Sequence, residues 1–429
     1  MRRVLIITYY WPPSGGSAVL RWLKFTKYLR DFGWEPVIYT PSNPESQEID
    51  ASLFSDIPEN IEIIKRKIIE PYSIYKFLTG KKQDERLGVA LMDQGKKKGL
   101  MSRLSLWIRS NLFIPDPRML WIKPSVNFLA KYLKQNPVDA IITTGPPHSM
   151  HLIGLRLKKR TNLKWLADFR DPWTNIDFYK DLSLTAMADR RHKLLEKKVL
   201  THADHIITVS PGMTEELRIV GVKGITTITN GFDDSDVSSI RYKINKFSIL
   251  HLGSMPKSRN PENLWKVLSE LISVNPLFAS QLEITLIGKA DQSIVESLDQ
   301  FKLTPFVKQI SYIPHSETSD VLSSAAVLLL CINNTPNAKG ILTNKFFEYL
   351  SAKRPIIALG PKDGDAAFIL KETGAGDVFG YHEEDTLKAH LLSLFDLFSR
   401  DEMYINSSNI EKYSRKNLTK GLSILLNKI

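Results

Sequence analysis

The feature that most constrains the fold of this 429-residue chain is a repeated alternation of short apolar runs with amphipathic segments. Each apolar run enters a loop rich in Gly, Pro or Asp, and a segment with helical spacing of apolar residues follows. Continuous apolar strands that alternate with helices are typical of a parallel sheet covered on both faces. In the first half, the predicted strands cover 4–9, 35–40, 140–144, 163–168 and 205–209.

The alternation restarts after a polar stretch, 238–245, which is the predicted linker. Further predicted strands cover 248–252, 283–287, 309–313, 326–331 and 355–359. The sequence therefore predicts an α/β fold of two Rossmann-like domains, 1–240 and 246–408, with a ligand at the carboxyl ends of their strands. A helical segment over 409–429 follows, and it can pack back on the first domain.

Cysteine content and hydropathy exclude several classes of protein. Cys331 is the only cysteine, so the chain can form neither an internal disulfide nor a cysteine metal cage. It lies in an apolar run, 325–332, which is far shorter than the roughly 18 residues of a membrane-spanning helix. We therefore expect an inert buried thiol in a cytoplasmic protein. The basic and apolar segment 1–9 lacks an Ala-x-Ala pattern, so a first buried strand explains it better than a signal peptide.

The net charge of +12 is concentrated in one segment. Between Lys65 and Lys134, sixteen basic residues stand against five acidic ones. An insertion, about 71–124, interrupts the alternation and mixes cations with Trp107, Phe113 and other large apolar side chains. This mixture favours an anionic membrane surface as a peripheral partner. An ordinary solvated face with helix-stabilising lysines is the alternative.

The second domain offers a first candidate anion site in the turn after 248–252. Gly253 lets a loop backbone approach a ligand closely. Asn260 is a predicted N-cap with Pro261 at the first helical position, and Arg259 adds a full charge beside this helix N-terminus. A plain surface turn is equally compatible with this pattern.

The second candidate lies in 340–355. Thr343 or Asn344 can cap a helix whose first turns carry Lys345 and Glu348 on one face. A diphosphate could contact the backbone amides of 340–344 with Lys345 neutralising it, while Glu348 accepts both hydroxyls of a ribose. An exposed Lys/Glu pair on an ordinary helix explains the same spacing.

A set of motifs in fixed order resembles glycosyltransferase family 4, which has the GT-B fold, over essentially the whole length. In the first domain the matching motifs are Trp-Pro-Pro-Ser-Gly-Gly-Ser-Ala-Val-Leu-Arg-Trp at 11–22, Gly-Trp-Glu-Pro-Val at 33–37, Thr-Gly-Pro-Pro-His-Ser at 144–149, Ala-Asp-Phe-Arg-Asp-Pro-Trp-Thr at 167–174, Val-Ser-Pro-Gly at 209–212 and Thr-Asn-Gly-Phe-Asp at 229–233. In the second they are Leu-Gly at 252–253, Arg-Asn-Pro at 259–261 and Lys-Phe-Phe-Glu-Tyr-Leu at 345–350.

The resemblance implies two domains whose parallel sheets face a central cleft, retention of anomeric configuration, and a nucleotide-sugar donor held mainly by the second domain. It implies no metal and no other cofactor, and a glycan or lipid-linked acceptor in bacterial cell-envelope polysaccharide synthesis. Glu348 falls on the second, ribose-binding acid of the family's Glu-x7-Glu motif. Gly340 replaces the first acid, and Ser254 stands where arginine is common, so Lys345 can supply the missing charge.

In the first domain, the resemblance brings a glycine loop near the donor phosphates and polar strand-end residues near the sugar or the acceptor. The candidates for catalysis are His148, Asp168 and Asp171, those for the acceptor or a phosphate are Arg21 and Arg170, and those for the donor are Gly15, Gly16, Gly253, Arg259, Thr343, Asn344, Lys345 and Glu348. An internal Asp–Arg ion pair and a structural histidine are the alternatives.

Two other functions compete with a retaining hexosyltransferase. A nucleotide-sugar epimerase of the same fold would use the same cleft. A membrane- or nucleic-acid-binding protein would use the basic segment, although it would not need the motifs of both domains, and we expect no nucleic acid partner. One cysteine and scattered histidines offer no metal-ligand cluster. A nucleotide dehydrogenase is disfavoured because no Gly-x-Gly-x-x-Gly opens either half.

Overall fold

The structure is a computed structural model. It describes residues 1–46, 49–70, 107–177, 179–237 and 242–429, so most of the predicted basic insertion and part of the predicted linker lie outside the described residues. The chain divides into two compact units. The first comprises Met1–Val209, Met213–Ile228 and Thr419–Ile429, and the second comprises Ser210–Gly212 and Thr229–Leu418.

The first unit contains a seven-stranded sheet in the order β3-β2-β1-β4-β5-β6-β7, with every pair parallel. The strands are β1 Arg2–Ile7, β2 Trp34–Pro41, β3 Glu62–Arg66, β4 Ala140–Gly145, β5 Lys164–Phe169, β6 His205–Thr208 and β7 Ile225–Thr227. The four apolar residues 4–7 of β1 are fully buried, as a central strand covered on both faces requires.

Helices connect these strands on the two faces of the sheet. They are α1 Ser17–Leu29, α2 Met119–Gln135, α3 Ser149–Thr161, α4 Ala186–His202 and α5 Pro211–Ile219, and residues 107–112 are also helical. The core of this unit joins strand residues such as Leu5 and Ile141 to Trp121 of α2 and Ile153 of α3.

The second unit contains a six-stranded parallel sheet in the order β10-β9-β8-β11-β12-β13. Its strands are β8 Phe247–Leu252, β9 Leu282–Ile287, β10 Val307–Ile310, β11 Val327–Cys331, β12 Ile356–Leu359 and β13 Gly376–Phe379. Its helices are α6 Glu262–Val274, α7 Pro276–Gln281, α8 Gln292–Gln300, α9 His315–Ser323, α10 Asn344–Ser351, α11 Asp365–Thr373 and α12 Glu384–Ser399. The predicted α/β class with two parallel, doubly wound sheets is confirmed.

Both sheets reverse their strand order at one point, between β1 and β4 in the first unit and between β8 and β11 in the second. Ligands of open α/β sheets bind outside the carboxyl ends of the strands at such a reversal. In the first unit this place is flanked by the loops that begin at Thr8 and at Pro146, and in the second by those that begin at Gly253 and Ile332.

The boundary between the units differs from the prediction of 240–246. Residues from Thr229 onward group with the second unit because Phe232 pairs with the segment before the last helix: its N–H donates to Tyr413 and its carbonyl accepts from Arg415. The motif at 229–233 therefore belongs to the second unit and not to the first domain as predicted.

The last helix, α13 Arg415–Lys428, is shared between the units, whereas the sequence treated 409–429 as one segment. Its residues from Thr419 group with the first unit. There the Asn427 side chain accepts hydrogen bonds from Arg2 at 3.1 Å and from the Trp34 indole at 3.2 Å.

None of the helices in the described ranges is long and apolar enough to cross a membrane.

Candidate functional site

The turn after β8 brings a backbone and a cation face to face in the second unit. Gly253 has a φ of +97°, a conformation that favours glycine, and its N–H donates to Ile287 at 2.6 Å. A Cβ atom at this position would lie 3.2 Å from Nζ of Lys345. The glycine therefore leaves open the space in front of the ammonium group, and the approach of this loop to a ligand stays a prediction.

Lys345 is held in this place by a histidine that the sequence analysis missed. Nδ1 of His251 lies 3.0 Å from the Leu329 carbonyl, which can only accept, so Nδ1 carries the ring proton. Nε2 is then the acceptor for Nζ of Lys345, 3.1 Å away. Burial, and then the charge of Arg259, lower the pKa of Lys345 to about 7.

Arg259 lies in a short 3-10 turn, Lys257–Arg259, after β8. Its Nε donates to Oδ1 of Asn333, and Nη1 donates to the Ser254 carbonyl at 3.3 Å. Asn333 follows β11, so the contact joins the two loops that flank the reversal of strand order. The arginine is thus fixed beside Lys345 by groups from both loops.

The predicted capping of α6 is wrong. The helix begins at Glu262 with Pro261 as its N-cap, and Asn260 makes no capping hydrogen bond. The Asn260 side chain instead accepts from the Trp265 indole at 2.9 Å and donates to Ser297 at 2.8 Å. Through these two contacts the Asn260 side chain links α6 to α8 and does not cap α6.

Helix α10 carries the second set of predicted donor residues. Thr343 is its N-cap, and its buried Oγ1 has no hydrogen-bond partner among the described residues. Glu348 lies one turn into the helix, partly exposed, and its carboxylate forms no hydrogen bond or ion pair with any residue that the structure describes. Lys345 contacts His251 and not Glu348, which argues against a plain Lys/Glu surface pair.

The remaining predicted donor residues lie around this helix. Asn344 is its first residue. Gly340, at the position of the missing acid, ends a 3-10 turn, Ala338–Gly340. The opposite side of α10 is buried by Phe346, Phe347, Tyr349 and Leu350, and the Tyr349 hydroxyl accepts from the Leu252 N–H at 2.8 Å. Buried packing therefore fixes the face of α10 that presents Lys345 and Glu348.

A cavity of about 570 Å³ is lined in part by Arg259. It is lined by the start of α6, by α8 and by the loop after β13, including Lys257, Lys266, Gln300 and Tyr381. Cys331 also borders it; burial raises the pKa of this thiol to about 12, in agreement with the expected inert side chain.

In the first unit, Asp168 and Arg21 form an internal ion pair. The Arg21 guanidinium donates to Asp168 at 2.8 Å and to the Ile228 carbonyl at 2.8 Å, and both side chains are at most 1% exposed. Asp168 also accepts from the Trp22 indole at 2.7 Å and from Thr144 at 2.8 Å. Burial alone would raise the pKa of Asp168, but Arg21 and these two donors lower it below its usual range.

This geometry favours a structural role for both residues. Both carboxylate oxygens of Asp168 are occupied by buried donors, so the group has no free oxygen to offer a substrate. The sequence left open an internal Asp–Arg pair, and the partner proves to be Arg21 rather than the nearby Arg170.

The Arg170 side chain also forms hydrogen bonds within the protein. Its guanidinium donates to the Ala18 carbonyl at 2.9 Å and to the Pro146 carbonyl, and its N–H donates to Gly145 at 2.9 Å. It therefore joins the segments that follow β1, β4 and β5. Asp171, the next residue, is exposed. Gly15 is partly exposed, and Gly16 is exposed at the N-cap of α1 with a φ of +82°.

His148 stacks on Trp173 immediately before α3. The two ring centroids are 4.5 Å apart and the planes differ by 3°. The residue keeps 9% exposure, and its Nδ1 is buried without a hydrogen-bond partner among the described residues. Burial, followed by the charges of His151, Arg170 and His192, holds the pKa of His148 well below its usual range. His148 is therefore a neutral imidazole at the end of β4.

The structure brings several of the predicted residues together within each unit, whereas Gly15, Gly16 and Asp171 form no hydrogen bond or ion pair with the others in the part of the chain that the structure describes. Gly253, Arg259, Lys345 and Glu348 lie around the turn after β8 and the start of α10, while Arg21 and Asp168 form the internal pair behind the loop of His148. The sequence analysis missed His251, Asn333 and His151. A polar residue inside an apolar run, such as His251 in 249–252, was the one available indication.

Two doubly wound parallel sheets, each in its own unit, define the class of this protein as GT-B. The fold is similar to that of sucrose-phosphate synthase from Thermosynechococcus elongatus, with 15% identity, a TM-score of 0.59 and coverage of 100% of this chain and 98% of that one. It is also similar to HepE from Anabaena in complex with UDP-glucose, with 13% identity, a TM-score of 0.60 and full coverage of both chains.

A protein assigned as a UDP-N-acetylglucosamine 2-epimerase from Listeria monocytogenes is similar as well, with 10% identity, a TM-score of 0.55 and coverage of 98% and 94%. At such identities these likenesses show the fold. Among curated proteins, none matches the chain by sequence. The model of Glycosyltransferase Family 4 matches residues 88–236, which confirms the predicted resemblance. Fold and family model together support a glycosyltransferase of the GT-B type.

Proposed function

We propose that the chain is a retaining glycosyltransferase that transfers a sugar from a nucleotide-sugar donor to a glycan or lipid-linked acceptor in cell-envelope polysaccharide synthesis. The observation that carries this proposal is the pair of cations, Lys345 and Arg259, at the open turn of Gly253. The charge of Arg259 helps to lower the pKa of Lys345, and an anion bound near both groups would favour the charged form of the lysine.

A diphosphate suits this place in charge and in size. It can approach the Gly253 backbone where a side chain would block it, and it can accept hydrogen bonds from Lys345 and from the Thr343 hydroxyl, which has no hydrogen-bond partner among the described residues. The N-terminus of α10 adds partial positive charge at the same point. The donor diphosphate would therefore be bound by the second unit alone.

Glu348 supports a nucleoside as the other half of the donor. It lies one turn after Lys345 on the same helix, with both carboxylate oxygens unoccupied by any described residue. Two neighbouring hydroxyls of a ribose can donate to one carboxylate. One helical turn therefore separates Lys345, which would bind the diphosphate, from Glu348, which would bind the ribose.

The catalytic step needs mainly electrostatic stabilisation in this proposal. The departing nucleoside diphosphate takes the acceptor's proton, and Lys345 and Arg259 stabilise its developing charge. No carboxylate nucleophile is required, which accords with the closed environment of Asp168. Because the two cations neutralise the diphosphate, turnover should survive excess EDTA. Loss of turnover that manganese or magnesium restores would contradict this part of the proposal.

We extend the proposal to a cytoplasmic enzyme that binds an anionic membrane surface from its first unit. Trp107, Ile108 and Leu112 are exposed on the helical residues 107–112, which also include Arg109. Exposed aromatic and aliphatic side chains with a cation among them are typical of segments that lie at a lipid interface. Such a surface would bring the enzyme to a lipid-linked acceptor.

Thermal-shift titration with nucleoside diphosphates and nucleotide sugars tests the donor site, because a ligand that binds only the folded state raises the melting temperature. Glu348→Gln should weaken donor binding by about 1–3 kcal/mol, since a charged acceptor of two hydrogen bonds is lost. Glu402→Gln, at an exposed glutamate of the same unit, is the matched control. Equal affinity in both variants would contradict the assignment of Glu348.

Product analysis separates transfer from epimerisation. An epimerase converts a nucleotide sugar without any acceptor, whereas a transferase releases the nucleoside diphosphate and needs an acceptor or water.

A further inference from the structure

A buried chain of hydrogen-bonding side chains lies behind His148 in the first unit. The Trp165 indole donates to Oγ1 of Thr143 at 2.9 Å, and this oxygen lies 2.9 Å from Nδ1 of His151. Trp165, Thr143 and His151 are all 0% exposed. Solvent therefore cannot decide which of these atoms carries a proton, and the groups must satisfy one another.

The direction of the hydrogen bonds follows from the donors available. An indole N–H can only donate, so Thr143 accepts from Trp165. The hydroxyl proton of Thr143 then needs an acceptor, and Nδ1 of His151 is the one within reach. The opposite direction would leave that proton buried without a partner, which is costly. Nδ1 of His151 is therefore unprotonated, and the ring proton is on Nε2.

His151 remains neutral, so its ring carries a single proton and Nδ1 and Nε2 cannot both be protonated. Burial lowers its pKa to about 3, so the ring carries one proton throughout the physiological range. Phe169 stacks on the ring at 4.4 Å between centroids with the planes 19° apart, and this contact opposes a flip of the imidazole.

The protonated Nε2 of His151 faces the same small space as Nδ1 of His148. A Cβ atom added to Gly145 would lie 2.6 Å from the first nitrogen and 3.1 Å from the second. Both nitrogens are buried, and neither has a hydrogen-bond partner among the residues that the structure describes. A ring donor therefore points into the space that a ring nitrogen of His148 also borders.

We propose that Thr143 and His151 are positioning residues that hold His148 as the tautomer with its proton on Nε2. The coupling runs across the space beside Gly145, because a proton on Nδ1 of His148 would point into the space that the ring proton of His151 already faces, and two buried donors without an acceptor are costly. His148 then offers Nε2–H as a hydrogen-bond donor, suited to a hydroxyl or phosphate oxygen of the substrate, and it does not serve as a general base. The substrate contact rests on the proposed function, whereas the tautomer does not.

Neighbouring groups keep the His148 ring in the orientation that this role requires. Trp173 covers one face of the ring, and its own indole donates to Nδ1 of His192 at 3.2 Å. Because that bond fixes the indole, the parallel stack fixes the imidazole.

The tautomer can be measured directly in the unliganded protein. In protein labelled with ¹⁵N-histidine, long-range ¹H–¹⁵N spectra distinguish the two neutral tautomers, and His148→Gln assigns the resonances of His148. We expect the Nε2–H form in the wild type. Thr143→Val removes the hydroxyl at nearly constant shape and should abolish this preference, whereas Thr143→Ser should retain it. An Nδ1–H form in the wild type, or a tautomer indifferent to Thr143→Val, would overturn the proposal.

Kinetics test the consequence separately. The Gln side chain keeps an N–H close to the position of Nε2, so His148→Gln should retain most of kcat, while His148→Phe should lose about tenfold to a hundredfold. Thr143→Val should lower kcat with the nucleotide affinity unchanged. Equal losses for Gln and Phe would show that His148 acts as a base and refute its role as donor. Failure to bind any nucleotide sugar would refute the proposed function and leave the tautomer assignment standing.

Discussion

In each unit a cluster of charged groups lies near the reversal of strand order, and the two clusters differ in charge and burial: Arg21 and Asp168 are buried, whereas Arg259 and Lys345 are partly exposed. In the first unit, Asp168 and Arg21 neutralise each other, and both oxygens of the carboxylate accept from protein donors. In the second, Lys345 and Arg259 are both cationic, and one depresses the pKa of the other. The first cluster combines opposite charges and is suited to a structural role, whereas the second brings two like charges together and is suited to an anionic ligand.

This comparison predicts that the clusters fail in opposite ways when they are mutated. Asp168→Asn leaves the buried Arg21 without its counter-ion and should lower the free energy of unfolding by roughly 3–5 kcal/mol. Asp171→Asn, three residues later at an exposed position, should stay within about 0.5 kcal/mol of the wild type. Chemical denaturation followed by tryptophan fluorescence measures both. If the two variants are equally stable, Asp168 is not the internal counter-ion that the contacts indicate.

In the second unit the opposite pattern is expected. Lys345→Met removes a partly desolvated charge, so the stability should be unchanged or higher, but binding of a nucleotide sugar should weaken by about 1.5–3 kcal/mol because a charged hydrogen bond is lost. Lys371→Met, at an exposed lysine of α11, is the control. Isothermal titration calorimetry measures the affinities. A loss of stability with unchanged affinity would show that Lys345, like Arg21, has a structural role and does not bind the donor.

The lowered pKa of Lys345 also predicts a pH dependence of donor binding. Below pH 7 the side chain is already charged in the free protein, so binding takes up no proton there. Above pH 7 the diphosphate must draw a proton onto Lys345, so the affinity should fall by up to about tenfold per pH unit until the raised pKa of the complex is reached.

Calorimetry at pH 8 in two buffers of different ionisation enthalpy counts this proton. A nucleotide sugar is the right ligand, because its diphosphate diester does not titrate in this range. Uptake close to one proton is expected for the wild type and none for Lys345→Met. Equal uptake in both would place the titrating group elsewhere.

The smallest effect is expected at the exposed surface of residues 107–112. Arg109→Glu should weaken binding to anionic vesicles by about 1 kcal/mol because one cation is lost. Repulsion between the new carboxylate and the anionic lipids should weaken it by a similar amount. The attraction should decrease with salt, because charges are screened over about 8–10 Å. Co-sedimentation with anionic and neutral vesicles measures this, and Arg218→Glu on exposed α5 is the control. A wild type that ignores anionic vesicles at low salt would exclude the membrane surface as a partner.

Sequence alone could predict the parallel sheets because their central strands are buried on both faces and are therefore continuously apolar. It missed β3, β7 and β13, which lie at or beside sheet edges and are only partly buried, so they show no apolar run. The candidate donor residues were found because Lys345 and Glu348 stand three apart on one helix, where spacing determines which side chains share a face.

Contacts between distant parts of the chain were beyond this kind of inference. Arg21 and Asp168 are 147 residues apart, so the sequence could suggest an internal Asp–Arg pair but could not identify Arg21 as the partner. The same limit applies to His251, which contacts Lys345 from 94 residues away. Spacing along the sequence predicts which side chains share a face of one helix or strand. Which helices and strands contact each other depends on the packing of the whole sheet.

The position of Asn427 has a consequence for the order of events during synthesis. The first unit takes its last residues, 419–429, from a part of the chain that the ribosome makes after the whole second unit. Until Asn427 has emerged, Arg2 and the Trp34 indole lack their acceptor, and Leu422 and Leu426 are not yet there to be buried. The unit translated first is therefore completed last, and a chain stalled before residue 419 exposes an unfinished face to chaperones.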